Sequence, residues 1–182
     1  MKSSEILQFG KSGLKTLLAS IVFFYSHLSL ILIALIPSLI RAFQMLNDQS
    51  PIWLEVIVEL TRLLLILVMI CMMSKQSIKN IGDKEYWNRL GKQCSLHFKR
   101  NWPYHFTAQI IVFIVLLFGL GNLLIKIIVS GSLTPMIEIL GFKSFGYKES
   151  YNAYLFFLKN MTVIPLAIVF ILKMCGIKPT NN

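Results

Sequence analysis

Two kinds of spacing organise this chain: long apolar runs that meet charge only near their ends, and one shorter segment whose apolar positions recur every three or four residues. Leu17 to Ile40 holds 24 consecutive residues without a formal charge, and Ala108 to Ile125 holds 18. As a helix the first run reaches about 36 Å, enough to cross a hydrocarbon core of about 30 Å with some tilt. Two further apolar runs complete four predicted spans, at about 17–40, 52–73, 108–129 and 155–175. The fold class expected is an all-α integral membrane protein, a four-transmembrane-helix bundle forming a single membrane domain over 1–182. It shows no internal repeat, and no pair of broken helices is expected. Pro37 and Pro165 are read as simple kinks.

The second run, WLEVIVELTRLLLILVMIC, is oily except for Glu55, Glu59 and Arg62. Ser50 and Pro51 supply an N-cap and a first-turn proline, which puts Glu55 inside the helix. Spacings of four and three set the three charges on one face. An unpartnered arginine at that depth is expensive, so Glu59 is its expected partner. In an antiparallel bundle Lys126 and Lys159 fall at the depth of Glu55, which gives an expected intramembrane cluster of Glu55, Glu59, Arg62, Lys126 and Lys159. His27 joins from the first span, where Ser20, His27 and Ala34 repeat every seven residues as a helix-contact stripe.

The shorter periodic segment lies in a cytoplasmic loop at 74–107, between spans two and three. Trp87, Leu90, Cys94 and Phe98 share one face, while Arg89, Lys92, Lys99 and Arg100 fall opposite. Asp83 is the expected N-cap, and Trp102-Pro103 ends the segment. This is an amphipathic helix, with Trp87, Arg89, Leu90, Lys92, Phe98, Lys99 and Arg100 expected at the lipid surface. An outer loop at 130–154 carries a helix-start signal at Thr134-Pro135, and its aromatics Phe142, Phe145, Tyr147, Tyr151 and Tyr154 form an interfacial belt.

Composition sharpens the membrane reading. The chain is 55% hydrophobic with a mean hydropathy of +0.68, too oily for an ordinary soluble domain. The net charge is +10. With the N-terminus inside, the cytoplasmic side holds Lys2, Lys11, Lys15, Lys75, Lys79, Lys84, Arg89, Lys92, Lys99, Arg100, Lys173 and Lys178. The opposite side holds Arg41, Lys126, Lys143 and Lys148. The imbalance places both termini in the cytoplasm by the positive-inside rule, in a multi-pass protein of the cell membrane. It directs the basic excess to the anionic inner leaflet, so nucleic acid is not needed to explain it. Lysine-, isoleucine- and asparagine-rich usage fits a bacterial source.

Cys71, Cys94 and Cys175 show no paired spacing and read as reduced thiols. Cys94, His97 and His105 lack a recognisable zinc spacing, and no cofactor or metal is expected. Nucleophile elbows, phosphate loops and dinucleotide fingerprints are absent, which disfavours an enzyme. The leading expectation is an accessory, regulatory or protective, immunity-like subunit that works through intramembrane contacts. Its partners would be membrane lipid, another membrane protein or a second copy of itself. The alternative is a small transporter or channel component using Glu55 or Glu59 as a cation or proton site.

Overall fold

In the computed structural model the chain is helical, with no strand among the described residues. The structure describes residues 3–47, 50–140 and 145–177, and only the backbone of 3–9 and 140. Lys2, Phe142, Lys143 and Lys178, named above, lie outside the described residues. The helices are α1 (Ser3–Tyr25), α2 (Leu28–Leu46), α3 (Ile52–Ser74), α4 (Lys84–Asn101), α5 (Tyr104–Val112), α6 (Gly121–Leu140), α7 (Tyr147–Met161) and α8 (Val163–Met174). A 3₁₀ turn, Ile78–Gly82, precedes α4, and a π segment, Phe113–Leu120, joins α5 to α6. Four stretches are long and apolar enough to cross a membrane: Leu28–Leu46, Ile52–Ser74, Tyr104–Ile139 and Tyr147–Met174.

The second span falls close to its expected bounds, with Pro51 at the N-cap in place of Ser50 and Glu55 in the first turn. The first span differs. Where one helix over 17–40 was expected, the chain breaks at His27, whose backbone is extended (φ −118°, ψ 94°). His27 Nδ1–H donates to the Phe23 carbonyl at 2.6 Å, taking the acceptor that a continuous helix would offer to the His27 backbone N–H. Beyond the break α2 runs on to Leu46, so Arg41 is helical and not in a loop. Of the expected contact stripe, Ser20 and Ala34 on either side of the break are fully buried, while His27 is only partly buried and sits at the break itself.

The fourth span is interrupted too, at Thr162 (φ −127°, ψ −73°). Pro165 explains its position: as the third residue of α8 it has its missing N–H among donors that a helix start leaves unpaired anyway. The expectation of unbroken spans with simple proline kinks is therefore corrected at two places.

The third span is longer than 108–129, running from Tyr104 to Leu140 without leaving helical geometry. Its inward positions explain the π segment. Val112 and Leu117 are buried five residues apart, whereas Ile125, Val129 and Leu133 follow at intervals of four. The wide turn, with the Gly121 N–H reaching back to the Leu116 carbonyl, absorbs the extra residue. Thr134-Pro135 does not start a helix; Pro135 sits inside α6. Ile125 and Val129 pack against Leu155, and the expected outer loop at 130–154 is helical at both its ends, to Leu140 and from Tyr147.

α2 packs on both α3 and α7, α1 packs on α5 and α8, and α6 packs on α7. The largest core brings Phe24, Leu30, Leu65, Met69, Val169 and Phe170 together. α1 and α5 approach closely because Gly13 has no side chain: a Cβ there would stand 2.7 Å from Val112 Cγ2. The Gln109 amide donates to Thr16 Oγ1 at 3.2 Å beside this contact.

α4 begins as expected, with Asp83 Oδ1 accepting from the Glu85 N–H at 2.9 Å. Its buried face, however, is Tyr86 and Leu90, packed with Ile70, Met73 and Ile177, so Leu90 faces protein and not lipid. The Tyr86 and Ser74 hydroxyls pair at 3.1 Å, and Gln93 donates to the Gly176 carbonyl at 3.2 Å. Docking on the ends of α3 and α8 thus uses Leu90 and Cys94 of the expected face, with Tyr86 in place of Trp87 at its start. Gly176 is required at this joint, since its φ is +80° and the His97 ring occupies the space of any Cβ. Trp87 and Phe98 stay partly exposed; Trp87 Nε1–H donates to the Ile81 carbonyl, and Phe98 stacks on Trp102 and Phe106. Arg89, Lys92, Lys99 and Arg100 are exposed.

Candidate functional site

The charged turn of α3 is the most unusual chemistry inside the apolar stretches, and the structure builds it into a ladder across three helices. Glu55, in the first turn of α3, receives both terminal nitrogens of Arg41 from α2, each at 2.5 Å. This fork-to-fork geometry suits a planar guanidinium and a carboxylate. Arg41 also donates to Gln44 Oε1 at 3.1 Å and lies 3.6 Å from Glu59 Oε1. One turn deeper, Glu59 Oε1 accepts from Arg62 Nη1 at 2.6 Å. Arg62 then crosses to α7, where its Nη2 donates to Asn160 Oδ1 at 2.8 Å. Asn160 is buried and anchors its own amide on the Phe156 carbonyl at 2.8 Å.

The order is Arg41, Glu55, Glu59, Arg62, Asn160, so two guanidiniums meet two carboxylates and the formal charge cancels. Both arginine side chains are the more sheltered partners, at 18% and 23% exposure, against 46% and 57% for Glu55 and Glu59. A cavity of about 500 Å³ lined by Arg41, Gln44, Ser50, Glu55, Lys148, Glu149 and Asn152 lies beside the upper rung and gives Glu55 a polar surrounding. Arg62 Nε is buried with no hydrogen-bond partner among the described residues.

The expected Glu59–Arg62 pair is present, and Glu55 shares its face. Lys126 and Lys159 do not join. Lys126 is exposed on α6 among Leu123, Leu124 and Ile127, and the Lys159 ammonium sits 5.7 Å from the Phe156 ring centroid. His27 is bound to Phe23 at the α1–α2 break. The missed members are Arg41 and Asn160. Arg41 escaped because it was assigned to a loop, and only the extension of α2 to Leu46 carries it to Glu55. Asn160 offered one signal, an amide in an apolar run, which needs a hydrogen-bond partner wherever it is buried.

Chemically the ladder joins helices. Its four charged groups are used on one another, and the Arg62–Asn160 bond ties the middle of α3 to the residue two before the α7–α8 interruption. Among the described residues no group of three histidine, cysteine or acidic side chains is placed to hold a metal ion. Comparison of the chain with known proteins finds no matching family model, no matching curated protein and no matching solved structure.

Proposed function

We propose that the chain is a four-span protein of the cell membrane with both termini in the cytoplasm, acting as an accessory, regulatory or protective subunit through contacts within the bilayer. The observation that carries this reading is the charge-balanced ladder. Groups that would otherwise serve as an ion path are paired across α2, α3 and α7, while exposed Leu60, Leu63 and Leu64 on α3 offer apolar surface to lipid or a partner helix. Outside the spans, the exposed basic residues of α4 support contact with an anionic inner leaflet.

The second reading, a small transporter or channel component, draws on a different observation. Interruptions at His27 and Thr162 and a π segment between them in sequence are the kind of irregular backbone found where membrane helices line a path.

The two readings separate by experiment. The purified chain, reconstituted alone, is expected to pass no pH-gradient-driven flux, and a membrane protein is expected to co-purify from mild detergent. Flux that persists without a partner and vanishes in Glu59→Gln overturns the accessory reading. For topology, a cysteine at position 145 is expected to label from outside intact cells and one at position 92 only after permeabilisation; the reverse refutes the orientation.

A further inference from the structure

We infer that the groove between α2 and α6, floored by α7, is a binding site for one acyl chain of a membrane phospholipid, with the chain's ester carbonyl accepting a hydrogen bond from Ser150. The inference rests on the membrane reading above. α7 packs on both α2 and α6, but the latter two stand apart and leave a cavity of about 570 Å³. That size falls in the range of about 300–1,000 Å³ typical of small-molecule sites. Leu39, Phe43, Leu133, Ile137 and Phe157 make its walls apolar. Leu39 and Phe43 are half exposed, so the cavity opens sideways onto the surface assigned to lipid.

Ser150 is what distinguishes this groove from an ordinary gap between helices. It is 4% exposed, lines the cavity, and its Oγ has no hydrogen-bond partner among the described residues. Other helical hydroxyls here solve that problem locally: Ser20, Ser38, Thr61 and Ser132 each donate to the carbonyl four residues back. Ser150 does not, although the Gly146 carbonyl is near enough to accept its backbone N–H at 3.0 Å. A buried hydroxyl left unpaired is costly, and an acceptor entering the cavity relieves it.

The direction also fits a lipid chain. Ser150 lies in the first turn of α7, at the same end as the α2 C-terminus, and Phe157 lies seven residues further, about 10 Å down the helix. A carbonyl at Ser150 therefore leaves its hydrocarbon tail running inward along Leu39, Leu133 and Phe157. Among the described residues the walls carry no charged group, which disfavours a polar solute.

The test uses the full chain in mild detergent, titrated with phosphatidylglycerol carrying a diazirine in one acyl chain, irradiated and mapped by mass spectrometry. Saturable labelling of the 39–46 and 153–157 segments is expected, displaced by unlabelled lipid. Ser150→Ala is expected to weaken displacement about three- to tenfold, the worth of one hydrogen bond. Ala153→Trp, which fills the cavity, is expected to abolish pocket labelling; should that variant misfold, Ser150→Ala still decides. Labelling of exposed Leu60, Leu63 and Leu64 on α3 reports general lipid contact. If α3 labels while the pocket segments label without saturation and ignore Ser150→Ala, the site is overturned and the membrane reading stands. If nothing labels, the membrane reading falls and takes the site with it.

Discussion

The two ends of this bundle are held by different physics. At the α4 end, α3, α8 and α4 meet through Ile70, Met73, Tyr86, Leu90 and Ile177, with two neutral hydrogen bonds added, from Tyr86 to Ser74 and from Gln93 to Gly176. At the other end, where α2 ends and α3 begins, charged side chains join the helices: Arg41 of α2 on Glu55 of α3, and Arg62 of α3 on Asn160 of α7, with Glu59 bracing Arg62 within α3. Between them lies the apolar core around Phe24, Leu65, Val169 and Phe170. An apolar joint is indifferent to salt, whereas a ladder of charges whose carboxylates are half exposed is weakened by it.

That contrast can be broken from its centre outward. The largest effect is expected for Phe170→Ala, a fully buried ring, which should cost about 3–5 kcal/mol in thermal or denaturant unfolding in detergent, regardless of salt. Next comes Arg62→Ala, expected to cost about 1–2 kcal/mol, mostly because it leaves the buried Asn160 amide oxygen without its donor, Glu59 being more than half exposed. If this loss is the same in a Glu59→Gln background, the ladder is not a coupled unit. Asn160→Ala is expected to cost about 1 kcal/mol, the size of one interhelical hydrogen bond in a membrane bundle. Glu55→Gln should have the smallest effect on folding, and raising the salt concentration should shrink it further, since its carboxylate is nearly half exposed.

The α4 end offers a sharper chemical readout. Burial raises the Cys94 thiol above its ordinary value, with the adjacent Cys175 adding to the effect, and burial raises Cys175 in turn. A raised thiol pKa means less thiolate at a given pH, so both should alkylate more slowly than free cysteine at neutral pH. Their rates should still be climbing at pH 9.0, where an ordinary thiol is half ionised. A plateau below that pH would mean that α4 does not cover them.

The sequence made the spans legible because twenty or so apolar residues have few fates, and the charged turn of α3 legible because spacings of three and four define a face whatever surrounds it. What escaped depends on choices between near-equal local solutions. Nothing in the run around His27 forbids a continuous helix; the break follows from an imidazole competing for one carbonyl. The α4 face keeps Leu90 and Cys94 but takes Tyr86 in place of Trp87 because its partner is protein at Ser74 and Gly176, and a hydrophobic face alone does not say which neighbour it meets. The ladder's partners moved from Lys126 and Lys159 to Arg41 and Asn160 for two reasons: Arg41 lay beyond the expected end of its span, and for Asn160 depth along a span is readable from counting, but rotation about the helix axis is set by packing.

The π segment of the third helix has a genetic corollary. Because the inward residues are spaced by five once, at Val112 to Leu117, and by four thereafter, the helix carries one supernumerary residue relative to a uniform stripe. Deleting one residue from Phe113 to Leu120 would relax the coil to ordinary α geometry and leave the inward stripe continuous, with Ile125, Val129 and Leu133 still facing the same way. The same deletion between Gly121 and Leu133, where the helix holds no extra residue, would turn everything downstream by about 100°. The π segment is therefore the part of this helix that can lose a single residue and keep its inward face.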